Sequence, residues 1–175
     1  KSKKKIVCFA SIHLTEYDKV LNIIKSLNLN EIHEVVIIPR HIQYFENLNE
    51  KVISENLKKI TIHNKFGDSM SIFERSKIVF MGGSLIEHGG QNPLEPLSHG
   101  CFVLSGSFNN NFEEIYLDLE KLNLCKTMNS DNLNLISNEI NNLVKVDFHN
   151  STEIENFINT NRNSLKNIIE MIEKC

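Results

Sequence analysis

The sequence predicts an α/β fold: a Rossmann-like parallel sheet with helices on both faces. Short apolar runs alternate along the chain with segments of helical periodicity. The runs are apolar at successive positions, as expected for strands that are buried on both faces of a sheet. The chain has 175 residues, a length that suits one domain.

Six apolar runs are the candidate strands, of which the third and the last are the weakest: residues 5–10, 35–38, 59–63, 77–81, 101–104 and 124–128. The first helix is predicted from Thr15 to about residue 27, with Thr15 or Ser11 as its cap. Further helices are predicted at 41–57, with Phe45, Leu48 and Val52 inward, and at 68–75, 93–99 and 111–122. Two last helices are indicated by apolar positions at 133–143 and at 154–172.

Composition excludes several classes of function. The net charge of −3 is dispersed, so no nucleic-acid footprint is visible. The four cysteines lack metal-ligand spacing, so we expect no metal site and a reducing compartment. No apolar run approaches the ~20 residues of a membrane span. The basic cluster at residues 1–5 suits a solvated linker end, or else an anionic membrane face. Because the chain lacks an initial Met and enters a strand almost at once, we expect it to be a piece of a longer protein.

The most informative stretch is residues 82–106, GGSLIEHGGQNPLEPLSHGCFVLSG. Asn92 suits a helix N-cap, Pro93 the first helical position and Glu95 the third. A helix begun in this way offers N–H groups and partial positive charge to a phosphate or carboxylate. The alternative is purely structural: Glu95 closes a capping box on Asn92, and the two glycine pairs are plain turns.

Polar residues follow the ends of four candidate strands. Ser11 and His13 follow the first strand and Arg40 and His41 the second; residues 68–70 and 82–84 follow the third and the fourth. In a parallel sheet the carboxyl ends lie at one edge, where ligands bind. Arg40 can hold a phosphate through paired N–H bonds, or else form a surface salt bridge. His13 can assist a phosphate or a carboxylate, or order its loop, and His41 can cap the next helix.

Five motifs resemble those of the Kdo transferases, which move 3-deoxy-D-manno-octulosonic acid (Kdo) onto lipid A precursors. The 82–106 stretch is similar to the donor-site signature of that family, and NNNFEEI at 109–115 to its Asn-Phe-x-x-Ile continuation. Residues 10–13, 39–41 and 67–70 resemble its Ala-Ser-Thr-His, Pro-Arg-His and Gly-Asp-Thr-Met. The resemblance covers about residues 8–115; beyond that, only helical periodicity supports it.

The resemblance implies the carboxyl-terminal half of a two-domain GT-B glycosyltransferase. Residues 1–175 would form one donor-binding domain, and the helices at about 131–174 would pack on it or reach back to the amino-terminal domain. Pro39 and Arg40 would touch the nucleotide of CMP-Kdo, and Glu95 its ribose hydroxyls. At 70–72 the chain has Met-Ser-Ile where the family has Met-Gly-Glu, so the resemblance does not define which residues of that loop contact the nucleotide. The predicted donor-binding residues are Ser11, Pro39, Arg40, Met70, Ser71, Ile72, Gly83, Ser84, Asn92, Pro93, Leu94 and Glu95, with His13 and His41 as further candidates.

The implied function is donor binding in the transfer of Kdo to a lipid A precursor during lipopolysaccharide biosynthesis. In the family, the acceptor base is a Glu of the amino-terminal domain, so we expect this chain to bind CMP or CMP-Kdo without catalysing transfer. No cofactor or metal is expected. The full-length protein is expected at the cytoplasmic face of the bacterial inner membrane, and this fragment is expected to be soluble. The alternatives are half of a UDP-sugar transferase or epimerase, and a non-catalytic nucleotide-binding or partner-docking domain.

Overall fold

The structure, a computed structural model, describes residues 5–65, 68–148, 152–157 and 159–160. Within them, six strands form one sheet: β1 (Ile6–Ile12), β2 (Glu34–Pro39), β3 (Ile60–Ile62), β4 (Ile78–Met81), β5 (Phe102–Ser105) and β6 (Cys125–Thr127). Six helices have defined bounds: α1 (Tyr17–Lys25), α2 (Phe45–Ser54), α3 (Ser69–Arg75), α4 (Leu94–Ser98), α5 (Glu113–Lys121) and α6 (Leu133–Leu143). Residues 152–157 and 159–160 are also helical.

All neighbouring strands are parallel, in the order β3-β2-β1-β4-β5-β6. This is the strand order of a doubly wound Rossmann sheet. The order reverses between β1 and β4, and a doubly wound sheet binds its ligand in the crevice beyond the carboxyl ends of the strands at that reversal. The predicted fold class is confirmed.

The core lies on both faces of the sheet because successive strand residues point to opposite sides. Val7 and Phe9 of β1 join one cluster, with the apolar faces of α1, α2 and α6. Cys8 and Ala10 join the other cluster, with α3, α4 and α5. This two-sided burial explains why the strands were visible as continuous apolar runs.

The end of β1 differs from the prediction, which placed a loop at 11–13. The strand continues to Ile12, which is buried and pairs with Pro39. Between Phe9 and Ile12 the register shifts, and Ser11 has a φ of 56°. One residue thus bulges out of the ladder, which the sequence does not signal because no glycine marks the positive φ.

The predicted caps of the first helix were wrong. A 3₁₀ turn, Leu14–Glu16, precedes α1, and the residue before α1 is Glu16. Neither Ser11 nor Thr15 is in the cap position. In α2, Leu48 and Val52 are buried as predicted, whereas Phe45 is only half-buried.

The carboxyl-terminal part begins with α6, which packs beside α1. Just beyond the end of α1, Asn28 N–H donates to Asn141 Oδ1 of α6 at 2.8 Å. Ile154 is buried against the second core cluster, and Phe157 packs on the same cluster. The predicted helical positions at 158 and beyond 160 lie outside the described residues, as does most of the basic cluster, at residues 1–4.

Three of the four cysteines, Cys8, Cys101 and Cys125, are buried. Burial raises the pKa of Cys8 well above its ordinary value and that of Cys125 to about 12. These thiols therefore act as small apolar groups. Across the described ranges, none of the helices combines the length and the apolar character that crossing a membrane requires.

Candidate functional site

The carboxyl ends of β2, β1 and β4 are joined by backbone hydrogen bonds. Arg40 N–H donates to the carbonyl of Ile12 at 2.8 Å, and Gly82 N–H donates to the carbonyl of Ala10 at 2.8 Å. The segments that follow, at 40–44, 13–16 and 83–92, therefore start side by side at one edge of the sheet. We call this edge the rim.

Glu16 is the charged group at the centre of the rim, and its side chain is fully buried. One carboxylate oxygen, Oε2, accepts from the N–H of His13 at 2.9 Å and of Gly83 at 2.8 Å. The other, Oε1, accepts from the N–H of Ser84 at 3.1 Å and of Leu85 at 3.0 Å. A buried carboxylate is tolerated when its lone pairs are met by donors in this way. Glu16 thus joins the loop after β1 to the loop after β4.

Two positions of the loop after β4 require glycine because other parts of the chain lie close to their Cα atoms. A Cβ on Gly82 would lie 2.9 Å from Ile12 Cα and nearer still to the carbonyl oxygen of Ser11. Gly83 has a φ of 67°, and its bare face lies against Gln91 and His13: a Cβ there would be 3.3 Å from Gln91 Nε2 and 3.4 Å from His13 Nε2. Gly82 thus serves strand packing, whereas Gly83 lies at the rim against Gln91 and His13.

Three histidines gather on the outer side of this loop. The ring of His13 stacks on that of His88, with centroids 4.3 Å apart, and meets the ring of His41 edge-on at 5.9 Å. His88 Nε2 forms a hydrogen bond with Thr15 Oγ1 at 3.2 Å. His13 Nε2 is buried and has no hydrogen-bond partner in the described structure. This nitrogen is not exposed, so a ligand would reach it only after a local movement of the rim.

The surroundings of His13 favour its neutral form. Burial is the main cause that lowers the pKa of His13, and the electrostatic effects of His88, His41 and Arg40 lower it further, against the opposing effect of Glu16. A neutral imidazole carries one donor and one acceptor nitrogen. At neutral pH the ring can therefore bind a hydroxyl or an anion without carrying a full charge.

Arg40 is exposed at the end of β2, and it lies close enough to His13 to affect its pKa. None of the ion pairs between described residues includes Arg40, so the predicted alternative of a surface salt bridge is not seen there. Its guanidinium is thus unoccupied by the described carboxylates and can reach an anion at the rim.

The start of α4 is shifted by one residue from the prediction, because Pro93, and not Asn92, is in the N-cap position. Asn92 precedes the cap, and its Oδ1 accepts from the N–H of Leu94 at 3.0 Å. Glu95 does not return to Asn92; its Oε1 accepts instead from Ser69 Oγ at 3.0 Å, at the start of α3. The carboxylate of Glu95 is exposed and retains further lone pairs. Because α4 is only five residues long, its dipole adds little to anion binding.

The remaining predicted site residues divide by exposure. Met70 is 53% exposed, and Ser71 is exposed with its hydroxyl donating to the carbonyl of Asp68 at 2.9 Å. Ile72 is a core residue, and Ser84 is fully buried, where its Oγ accepts from the N–H of Gly106 at 2.8 Å. A direct ligand contact from the side chain of Ile72 or Ser84 would require repacking. The rest are buried (Pro39, Pro93), half-buried (Ser11, Leu94) or exposed (His41, Asn92).

Sequence reasoning did not single out three residues of the rim, Glu16, His88 and Gln91. The signal for Glu16 was a carboxylate in the first helical turn after β1, opposite a glycine pair that follows another strand. His88 and Gln91 carry no local signal, because their placement depends on how the 83–91 loop closes, with Gly90 N–H donating to the carbonyl of Gly83 at 2.8 Å.

By fold, the chain is a Rossmann-like domain of the kind found in GT-B glycosyltransferases. It superposes, with a TM-score of 0.73 and 20% identity, on the crystal structure of the C-terminal CMP-Kdo binding domain of WaaA from Acinetobacter baumannii. The match covers 93% of this chain and 90% of that domain. At this identity, the likeness establishes the fold.

Sequence similarity points to the same family. The chain is 38% identical over 74 residues to the 3-deoxy-D-manno-octulosonic acid transferase of Haemophilus influenzae, over 42% of this chain and 17% of that protein. It is 26% identical over 131 residues to the enzyme of the same name from Aquifex aeolicus, over 69% of this chain and 37% of that protein. The chain thus spans well under half the length of these relatives. No protein-family model matches it. The predicted relationship to the Kdo transferases, as a counterpart of their carboxyl-terminal domain, is confirmed.

Proposed function

We propose that this chain is the donor-binding domain of a glycosyltransferase that transfers Kdo from CMP-Kdo to a lipid A precursor. The observation that carries the proposal is the rim itself. It brings an exposed guanidinium and the unsatisfied imidazole nitrogen of His13 to the edge of the sheet where doubly wound folds bind nucleotides, and the exposed carboxylate of Glu95 follows the loop that closes there.

The rim offers separate groups to separate parts of the donor. Arg40 and His13 meet the phosphate, where negative charge develops as CMP departs. The guanidinium supplies a fixed positive charge, and the neutral ring of His13 supplies a hydrogen-bond donor. Glu95 accepts from the ribose hydroxyls, since its carboxylate has lone pairs beyond the one that Ser69 uses. No metal or cofactor is part of the proposal.

Transfer needs a second component, a base that removes the proton of the acceptor hydroxyl. We propose that this base lies in another domain of the full-length protein, and that lipid A precursor binding, membrane association and a place in lipopolysaccharide biosynthesis at the inner membrane belong to that whole protein. The purified chain of 175 residues should therefore bind CMP without transferring Kdo. Transfer by this chain alone would refute the division of roles.

Calorimetric titration with CMP and with UMP tests donor binding. We expect CMP to bind more tightly than UMP, and Arg40→Gln to weaken CMP binding about 10- to 100-fold, since a hydrogen bond to a charged group contributes about 1.5–3 kcal/mol. Arg75→Gln is the matched control: Arg75 pairs with Glu34, at the start of β2 and so at the opposite edge of the sheet. Equal affinities for CMP and UMP, or unchanged CMP binding by Arg40→Gln, would count against the proposal.

A further inference from the structure

The glycine loop after β4 is an anion-binding nest that is already occupied. Three consecutive N–H groups, of Gly83, Ser84 and Leu85, converge on the carboxylate of Glu16. Consecutive N–H groups that point to one side form the type of concavity that holds phosphates in nucleotide-binding loops. Here the anion is supplied by the chain itself, 67–69 residues earlier in the sequence.

From Glu16, two routes of direct contact lead to the rim groups. On one side, Oε2 accepts from the N–H of His13, whose ring lies against the side of Gly83 where a Cβ would be. On the other side, Oε2 holds Gly83, whose carbonyl accepts from Gly90 N–H at 2.8 Å and so closes the loop that leads into Gln91 and the 92–95 segment. One carboxylate thus sets the distance between the histidine and the segment that carries Glu95.

We propose that Glu16 is a positioning residue for the donor site, acting as an internal anion that fixes the glycine loop against the end of β1. This role rests on the proposed function for its effect on affinity, while the anion nest stands independently of it. The side chain of Glu16 also excludes other anions from the nest. Because the nest is full, the phosphate of a bound nucleotide cannot take the position it has in Gly-rich dinucleotide-binding loops, and it is directed towards Arg40 and His13.

Glu16→Ala with chemical rescue by acetate tests this role. The substitution removes CH₂–COO⁻, a fragment of the size of acetate, and leaves the four N–H groups in place. Acetate should then raise the melting temperature of the variant in a saturable manner and leave that of the wild type unchanged, because a ligand stabilises only a protein with a vacant site. Chloride at the same ionic strength is the control for salt.

The affinity for CMP separates positioning from stability. At a temperature where the variant is folded, we expect its Kd for CMP to be at least about 5-fold weaker than that of the wild type, with acetate restoring it to within about 2-fold, because only an oriented loop presents the rim groups together. A residue that served stability alone would leave the Kd of the folded protein unchanged, and that result would overturn the positioning role. Failure of acetate to stabilise the variant would overturn the nest.

If Glu16→Ala does not fold, Glu16→Gln replaces it. The amide keeps the shape and one accepting oxygen, so we expect a folded protein with increased hydrogen exchange at the N–H groups of Gly83, Ser84 and Leu85 and a weaker Kd for CMP. Unchanged exchange and unchanged Kd would overturn the inference. Absence of CMP binding by the wild type would instead refute the proposed function, and the exchange and acetate measurements would still decide whether the nest is filled by Glu16.

Discussion

The strength of the Glu16 anchor can be measured as a loss of stability in Glu16→Gln. The substitution preserves the volume of the side chain and replaces one acceptor oxygen with an NH₂ group. Two of the four N–H groups that face the carboxylate would then meet a donor. The other two would keep an acceptor, but a neutral one.

The expected loss follows from the bonds affected. A hydrogen bond to a charged group contributes about 1.5–3 kcal/mol, and two such bonds are lost outright, which gives about 3–6 kcal/mol. Relaxation of the loop, whose residues 86–88 are not buried, lowers this figure to about 3 kcal/mol. For a chain of this size, 1 kcal/mol corresponds to about 2–4 °C, so the melting temperature should fall by about 6–12 °C.

Urea unfolding and calorimetry measure this loss, with Glu87→Gln as the matched control. Glu87 is an exposed carboxylate of the same loop, and its substitution should change stability by no more than about 0.5 kcal/mol. A loss of less than about 1 kcal/mol in Glu16→Gln, the net contribution of a single ordinary hydrogen bond, would show that the carboxylate does not hold these four groups.

Two further predictions concern the same region. The pKa of His13 is lowered from its ordinary value of about 6.5, so the unfolded chain binds the proton more readily, and the free energy of unfolding should rise with pH up to about 6.5 and level off above it. Urea unfolding across pH 5–8 should show that the free energy of unfolding depends less steeply on pH in His13→Gln. An unchanged dependence on pH would exclude His13 as its source. Gly82→Ala places a Cβ into the backbone of Ser11 and Ile12, so it should destabilise the protein by about 1–3 kcal/mol or prevent folding, as overpacking in a core does. A melting temperature equal to that of the wild type would contradict the close approach of β1 and the residue that follows β4.

Much of the fold was predictable because its evidence is local. The four inner strands are buried on both faces, so residues such as Val35, Val36 and Ile37 form an unbroken apolar run. The helix α6 shows its buried face through Ile136 and Ile140 at helical spacing. The bulge at Ser11 was not predictable, because it follows from the pairing of Ile12 with Pro39 in the neighbouring strand.

The candidate site was predictable only in outline. The rule that parallel strands end at one edge was sufficient to place Arg40, His13 and the glycine loop together. It could not show which donor meets which acceptor. Glu95 pairs with Ser69 across 26 residues, and no local pattern distinguishes that bond from a capping box on Asn92.

Glu16 shows why the two readings of the glycine loop were not true alternatives. One interpretation took the 82–106 stretch as an anion site and the other took its glycines as structural, and the structure combines them. The loop binds an anion, and the anion is a side chain of the same domain. Because the side chain orders the loop before a nucleotide binds, the free energy of ligand binding is not reduced by the cost of ordering that loop. Under the proposed function, the phosphate would be held by side chains at the rim. Donor affinity should therefore depend on Arg40 and His13, and not on the glycine loop.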